Sequence, residues 1–273
     1  MTILVTGATG TVGRHLVEQL LSKGEQVRAL SRNPERAGLP PAAEVVKGDL
    51  MEPASLIPAL TGVQAMYLFP SSDQEGAALE TPPEVVKLVA EAGVQRMTYL
   101  TLYGSGPVEE AIQASGMQWT FLQPVGFMAN ALDDWQAWVR KKGEVSVFGG
   151  HVRTAIIHEA DIAAVASVTL LEPGHHERCY TLTGPELISP QEQVALISQA
   201  IGRPIAFISL SEQEARARWE DQGYDEETIA FFVEMNSTPP EIATTVAPTV
   251  EQITGRPAQS FATWVEQHRQ AFL

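Results

Sequence analysis

Gly7, Gly10 and Gly13 stand three residues apart in Thr6-Gly7-Ala8-Thr9-Gly10-Thr11-Val12-Gly13. They follow the apolar run Ile3-Leu4-Val5 and precede His15–Leu21, which takes a helical period. Strand, glycine turn and helix in that order bind a dinucleotide pyrophosphate. Gly7 turns the chain off the strand, Gly10 lets the backbone approach the phosphates, and Gly13 lets the helix pack close. Thr9, Thr11 and Val12 complete the loop, and the free N–H groups and positive dipole end of the helix face the anion. A second group of residues addresses the nucleotide's ribose. The next strand ends in Ser31-Arg32, where an NAD-selective fold carries Asp or Glu for the 2′-hydroxyl. A hydroxyl and a guanidinium suit a 2′-phosphate, so the expected cofactor is NADP(H), with Arg36 in support. The bland alternative is a surface arginine in a turn, which Asn33-Pro34 equally allows.

The elements that position these residues alternate. Strands are expected at Gln26–Leu30, Glu44–Lys47, Ala65–Pro70, Arg96–Leu100 and Gln118–Leu122, with helices at 83–92 and 109–114. That spacing predicts an α/β fold of Rossmann type: a doubly wound parallel sheet with a smaller, mostly helical C-terminal substrate lobe. The C-terminal edge of such a sheet faces the cofactor, which places Phe69 and Pro70, before Ser71-Ser72-Asp73, beside the ribose. The expected division is 1–127 for the cofactor domain, with 155–184 returning to it, and 128–273 for a substrate-binding or lid region. Trp135, Trp138, Trp219, Tyr224, Phe231, Phe232 and Met235 concentrate there. Such residues suit a lid, and equally a small core.

Composition sets outer bounds. The chain has 273 residues, enough for one α/β domain of roughly 150–200 residues and a smaller lobe. A formal net charge of −15 repels a phosphate backbone or an anionic membrane, so neither nucleic acid nor membrane is an expected partner. No run approaches the roughly 18–20 apolar residues of a spanning helix, and the chain enters a strand at residue 3 without a charged-then-apolar leader. With one cysteine, Cys179, the expectation is a cytoplasmic protein. His175-His176-Glu177 and Cys179 lie in a surface connector and are not read as a metal site; no Gly-x-Ser-x-Gly elbow accompanies His158 and Asp161.

The spacing Gly-x-x-Gly-x-x-Gly resembles the short-chain dehydrogenase/reductase superfamily and, within it, the atypical NmrA-like branch. The resemblance implies adenine contacts from Gly48-Asp49-Leu50, that is Asp49 and Leu50, although Asp49 read alone equally caps a helix over 53–60. Gln123-Pro124-Val125-Gly126-Phe127-Met128-Ala129-Asn130 resembles the family's Arg-Pro-x-x-Phe-Met-x-Asn, which lies along the nicotinamide. It implies cofactor contacts at Pro124 and Phe127 and a substrate pocket at Phe127, Met128 and Asn130; Phe127 and Met128 read equally as core. The segment 155–163 resembles a family strand and a helix capped by Asp161. Classical short-chain reductases carry Tyr-x-x-x-Lys, in which lysine lowers the phenol's pKa. Here Tyr103 is followed four residues on by Pro107, and no Tyr-x-x-x-Lys occurs anywhere. Thr101 and Tyr103 remain as hydrogen-bonding candidates at the catalytic position. The expected function is therefore an NADPH-dependent oxidoreductase that gives hydride to a small conjugated or aromatic acceptor: a quinone, azo compound or enone, which delocalises the incoming charge. The alternatives are a non-catalytic NADP(H)-sensing regulator and a redox-neutral isomerase or lyase. A homo-oligomer or a regulatory protein partner stays open.

Overall fold

Short apolar runs become strands buried on both faces. All four residues of Ala65–Leu68 are buried, as are Ile3, Leu4 and Val5, which is how a sheet covered by helices on each side must read. The computed structural model describes residues 1–70, 81–101 and 106–273. In chain order these form β1 (Thr2–Val5), α1 (Thr11–Ser22), β2 (Gln26–Ser31), β3 (Glu44–Lys47), α2 (Ile57–Leu60), β4 (Ala65–Leu68), α3 (Glu84–Glu91), β5 (Arg96–Leu100), α4 (Pro107–Ala114) and β6 (Gln118–Pro124). There follow α5 (Asn130–Lys142), β7 (Glu144–Phe148), α6 (Glu159–Leu171), β8 (Arg178–Leu182), α7 (Pro190–Ile201), β9 (Ala206–Leu210), α8 (Glu212–Asp221), α9 (Glu226–Ser237), α10 (Thr249–Thr254) and α11 (Phe261–His268).

Among the described residues the main sheet has seven strands in the order β3-β2-β1-β4-β5-β6-β8, every pair parallel. The order reverses between β1 and β4, the switch point where α/β sheets bind ligands. On one face α1 and α6 pack side by side, Gln19 of α1 donating to the carbonyl of Ala160 at 3.0 Å. Helix α6 is apolar nearly all round and buried from Ile162 to Leu170, as a helix enclosed by its neighbours must be. The other face is covered by α2, α3 and α4, whose Leu60, Val85, Val89 and Ile112, with Leu56 just before α2, meet Met66, Leu68 and Met97.

The chain divides into two compact units. The first gathers residues 1–124, 159–182 and 252–255; the second gathers 125–158, 183–251 and 256–273. The second unit's core holds Met128, Trp135, Val139, Val145, Ile197, Phe261 and Phe272 around Trp264, which stacks on Phe261 and His268 with ring centroids 5.3 and 4.3 Å apart. The parallel pair β7 and β9, running from Glu144 opposite Ala206 to Phe148 opposite Leu210, has no counterpart in the sequence expectation. Its partners are more than fifty residues apart, and β9 is half-exposed, so neither periodicity nor burial announced it.

Two expectations need correction. Residues 155–157 do not form a strand; Ile157 makes one isolated bridge to Phe127, and Thr154 another to Ile188. Asp161 does not cap α6 but lies two residues inside it, in the first turn, where a carboxylate still meets the positive end of the helix. A capping box opens α7, the Ser189 hydroxyl accepting from the Glu192 N–H at 3.3 Å and Glu192 accepting from the Ser189 N–H at 2.9 Å. No helix of the described residues is long and apolar enough to cross a membrane.

Candidate cofactor site

Parallel strands share one C-terminal edge, so Gly7 after β1, Ser31 at the end of β2 and Phe69 after β4 come together there. Thr6, fully buried, staples the corner. Its N–H and hydroxyl both donate to the Tyr67 carbonyl, at 3.0 and 3.2 Å, and the hydroxyl accepts from the Phe69 N–H at 2.8 Å. Gly7 then turns with φ +58°, and a Cβ there would lie 3.2 Å from the Phe69 side chain. A Cβ on Gly13 would sit 2.0 Å from the Gly7 carbonyl oxygen, so only glycine lets α1 start this close to the turn. Gly10 is exposed, donates its N–H to Gly7 at 2.9 Å and precedes α1 in an extended conformation. The first N–H groups of a helix have no partner within it. No side chain caps α1 and no acidic residue stands in its first turn. Thr9 and Thr11 are exposed and Val12 is buried beneath. A turn stripped of side chains, facing uncapped N–H groups, fits a pyrophosphate.

Beside this corner the Ser31 hydroxyl accepts from the Asn33 N–H at 3.1 Å and shapes a turn on which Arg32 and Arg36 are exposed. Among the described residues neither guanidinium has a hydrogen-bonded or ionic partner, so both are available to an anion. Asp49 does not cap the following helix, a position that Glu52 occupies; it accepts from the Met51 N–H at 3.0 Å and orders its own turn. Leu50 is buried in the core with Leu30 and Leu56, and Pro70 is buried beside a half-buried Phe69. Sequence reasoning passed over Arg14, whose side chain donates to the carbonyls of Thr9, Ala37 and Gly38. Its signal was only its place directly after Gly13.

At the end of β5, Thr101 is buried, its N–H on the Leu122 carbonyl at 2.9 Å and its hydroxyl donating to Glu109. The other oxygen of Glu109 accepts from the Gly106 N–H at 3.1 Å. Glu109 was legible as an acidic first-turn residue of α4, but its hold on Thr101 needed the fold. Tyr103, like Ser71-Ser72-Asp73, lies outside the described residues. Burial, with the Glu109 charge second, pushes the Tyr99 phenol and the Cys179 thiol above their ordinary pKa, so neither is a ready acid at neutral pH. Pro124 ends β6. Phe127, half-buried, Met128, buried in the second unit's core, and Asn130, the exposed first residue of α5, all belong to the second unit.

Within that unit a cavity of about 540 Å³ is walled by Trp138, Phe148, Trp219, Tyr224 and Phe232, with Arg218 at its side. Phe127, Met128 and Asn130 are not among its walls. Arg218 donates to the Ser146 carbonyl at 3.1 Å and lies 5.1 Å over the Trp138 ring. Burial, then the neighbouring Asp133, raises the pKa of Asp134, and Arg218 opposes the shift.

A sequence profile of NAD(P)H-binding proteins matches residues 7–109. The chain is 34% identical to the (4-alkanoyl-5-oxo-2,5-dihydrofuran-3-yl)methyl phosphate reductase of Streptomyces griseus and 35% identical to the NAD(P)H azoreductase of Xenophilus azovorans, each over 99% of both chains. An NADPH-dependent quinone oxidoreductase of Escherichia coli, solved with NADPH, shares the fold with a TM-score of 0.79 at 23% identity, over 97% of this chain and 99% of that one. A glycine corner built for a pyrophosphate, in a sheet of this order and with relatives at this level over full length, makes the chain an NAD(P)H-dependent oxidoreductase of the atypical, NmrA-like short-chain dehydrogenase/reductase family.

Proposed function

We propose that the protein reduces a small conjugated or aromatic acceptor, a quinone, azo compound or enone, with NADPH as donor. A cofactor held by its pyrophosphate at the glycine corner would supply a hydride from its nicotinamide. The protein's own residues bind and orient. Gly7, Thr9, Gly10, Thr11, Val12 and Gly13 hold the pyrophosphate; Ser31 and Arg32 hold the 2′-phosphate; Asp49 and Leu50 flank the adenine; Phe69 and Pro70 border the ribose; Pro124 and Phe127 border the nicotinamide. Phe127, Met128 and Asn130 contribute to the acceptor pocket. Thr101, whose proton goes to Glu109, can accept a hydrogen bond from the substrate or the nicotinamide side, and Tyr103 hydrogen-bonds acceptor or cofactor rather than drives proton transfer.

The observation that carries this reading is the missing acid. Tyr103 has Pro107 where classical short-chain reductases carry lysine, and the proton of Thr101 is already directed at Glu109. A simple ketone needs a positioned acid at the moment of reduction. A conjugated acceptor spreads the incoming charge, and water protonates it afterwards. The relatives support the same class: one is named for azo compounds, the other for a ring alkene flanked by two carbonyls. With one cysteine in the chain, we place the protein in a reducing compartment, the cytoplasm.

The test is NADPH oxidation against menadione, a neutral azo dye, a cyclic enone and a simple ketone of matched size. Turnover of one or more of the first three, with none of the ketone, is expected. Ketone reduction at a comparable rate, or tight NADPH binding with no turnover across the panel, would overturn the proposal; the second result would point to a cofactor-sensing protein.

A further inference from the structure

The loop that follows β2 is closed on itself by hydrogen bonds. Asn33 donates its N–H to the Ser31 hydroxyl, Arg36 to the Asn33 carbonyl at 3.0 Å, and Ala37 to the Pro34 carbonyl at 3.2 Å. Arg32 and Arg36, both exposed, stand in this loop. A side chain from α1 ties this loop to the glycine turn. Arg14 Nε donates to the Thr9 carbonyl at 2.8 Å, one terminal nitrogen to Ala37 at 3.0 Å and the other to Gly38 at 3.0 Å. Ala37 is buried, and Gly38 turns the chain at φ +57°, so the two carbonyls are presented from a fixed bend.

A guanidinium is the one side chain whose planar fork can meet three carbonyls in fixed directions, and charge makes each bond stronger than a neutral one. Thr9 belongs to the turn that every nicotinamide dinucleotide uses. Ala37 and Gly38 belong to the loop that only a 2′-phosphate needs. Arg14 joins the two.

We propose that Arg14 is a positioning residue for cofactor discrimination: by clamping Thr9 to Ala37 and Gly38 it holds Arg32 and Arg36 at the distance from the glycine turn at which they can grip a 2′-phosphate. The inference rests on the reading that Arg32 takes that phosphate. It goes further in making selectivity depend on a side chain that need touch neither the phosphate nor the nicotinamide. A clamp that only stiffened the glycine turn would serve NADH and NADPH alike; a clamp on the arginine loop serves NADPH alone.

Calorimetric titration of the whole protein with NADPH, NADH and 2′,5′-ADP, on wild type, Arg14→Met, Arg14→Lys, Arg32→Ala and the double variant Arg14→Met/Arg32→Ala, tests this. Arg14→Met should weaken NADPH and 2′,5′-ADP about tenfold and NADH less than about twofold, the scale of one or two charge-assisted hydrogen bonds mispositioned. Arg14→Lys should behave like Arg14→Met, because an ammonium on a flexible stem cannot span three carbonyls. In the Arg32→Ala background Arg14→Met should change the NADPH:NADH ratio by clearly less than in the wild type, since only Arg36 is left for the clamp to position and coupled residues are non-additive. If Arg14→Met unfolds, Gly38→Ala strains the clamp from its other end and should show the same selective loss. Equal loss of both dinucleotides, rescue by lysine, or additivity with Arg32→Ala would overturn the inference. An unchanged ratio in Arg32→Ala alone would instead remove the 2′-phosphate reading beneath it.

Discussion

Gly13→Ala is the smallest change that should break the cofactor corner. The new Cβ would stand 2.0 Å from the Gly7 carbonyl oxygen, 2.7 Å from its carbon and 2.8 Å from Ala8 Cα. All three are backbone atoms of a turn held at φ +58° and stapled by Thr6, so no flexible side chain can give way. Ordinary contact begins near 3.4 Å, and α1 would therefore have to withdraw by about 1.4 Å at its first turn. Overpacking of this kind costs about 1–3 kcal/mol. The same displacement pulls the N–H groups at Thr11 and Val12 from hydrogen-bond distance of a pyrophosphate, which removes one or two charge-assisted bonds and should weaken NADPH at least tenfold. Thermal unfolding and fluorescence titration with NADPH and NADH measure the two effects. Both dinucleotides should weaken alike, since the pyrophosphate is common to them. A variant with wild-type Tm and wild-type affinity would refute the close-packing argument.

Other consequences follow from single contacts. Thr101→Val leaves the Glu109 carboxylate without its buried partner; it should lower Tm and reduce kcat about tenfold while NADPH affinity stays within about twofold, measured by steady-state kinetics and titration. The Tyr67 hydroxyl is buried with no partner among the described residues, so Tyr67→Phe should be neutral or stabilising in a thermal melt, and a loss above about 1 kcal/mol would mean that the hydroxyl has a partner. Arg153 first, and Ser189 next, hold the Glu192 carboxyl down from 4.5 to about 2. A depressed carboxylate contributes stability above its unfolded pKa and loses it as pH falls towards the folded value. Glu192→Gln should therefore be slightly less stable at pH 7, by under about 1 kcal/mol for so exposed a pair, with the gap closing between pH 4.5 and 2. A gap that is constant with pH would refute that assignment.

The glycine corner was legible because backbone freedom is written directly in residue type. Gly7 at positive φ and Gly13 against the Gly7 carbonyl are demands that only glycine meets, and strands buried on both faces show as continuous apolar runs. Ser31-Arg32 was legible for the same reason, as a chemical choice at one position. Arg14 and Glu109 were not, because their partners at Ala37, Gly38 and Thr101 are brought to them by the fold. Asp49 and Asp161 misled in a shared way. Each stands near a helix start, where an acidic residue suggests a cap, but each is three residues from the position that precedes its helix, an offset that sequence does not fix. The β7–β9 pair escaped because its strands pair across α6, β8 and α7, and such distant pairing leaves no local period.

The account turns on hydride passing from the nicotinamide to a conjugated acceptor without an acid supplied by Tyr-x-x-x-Lys. NADPH deuterated at C4, in each diastereomer, with a cyclic enone as acceptor, tests this by mass and NMR analysis of the product. One diastereomer should deliver its deuterium to the carbon β to the carbonyl, with the α hydrogen drawn from solvent. Product free of cofactor deuterium from both diastereomers would contradict it.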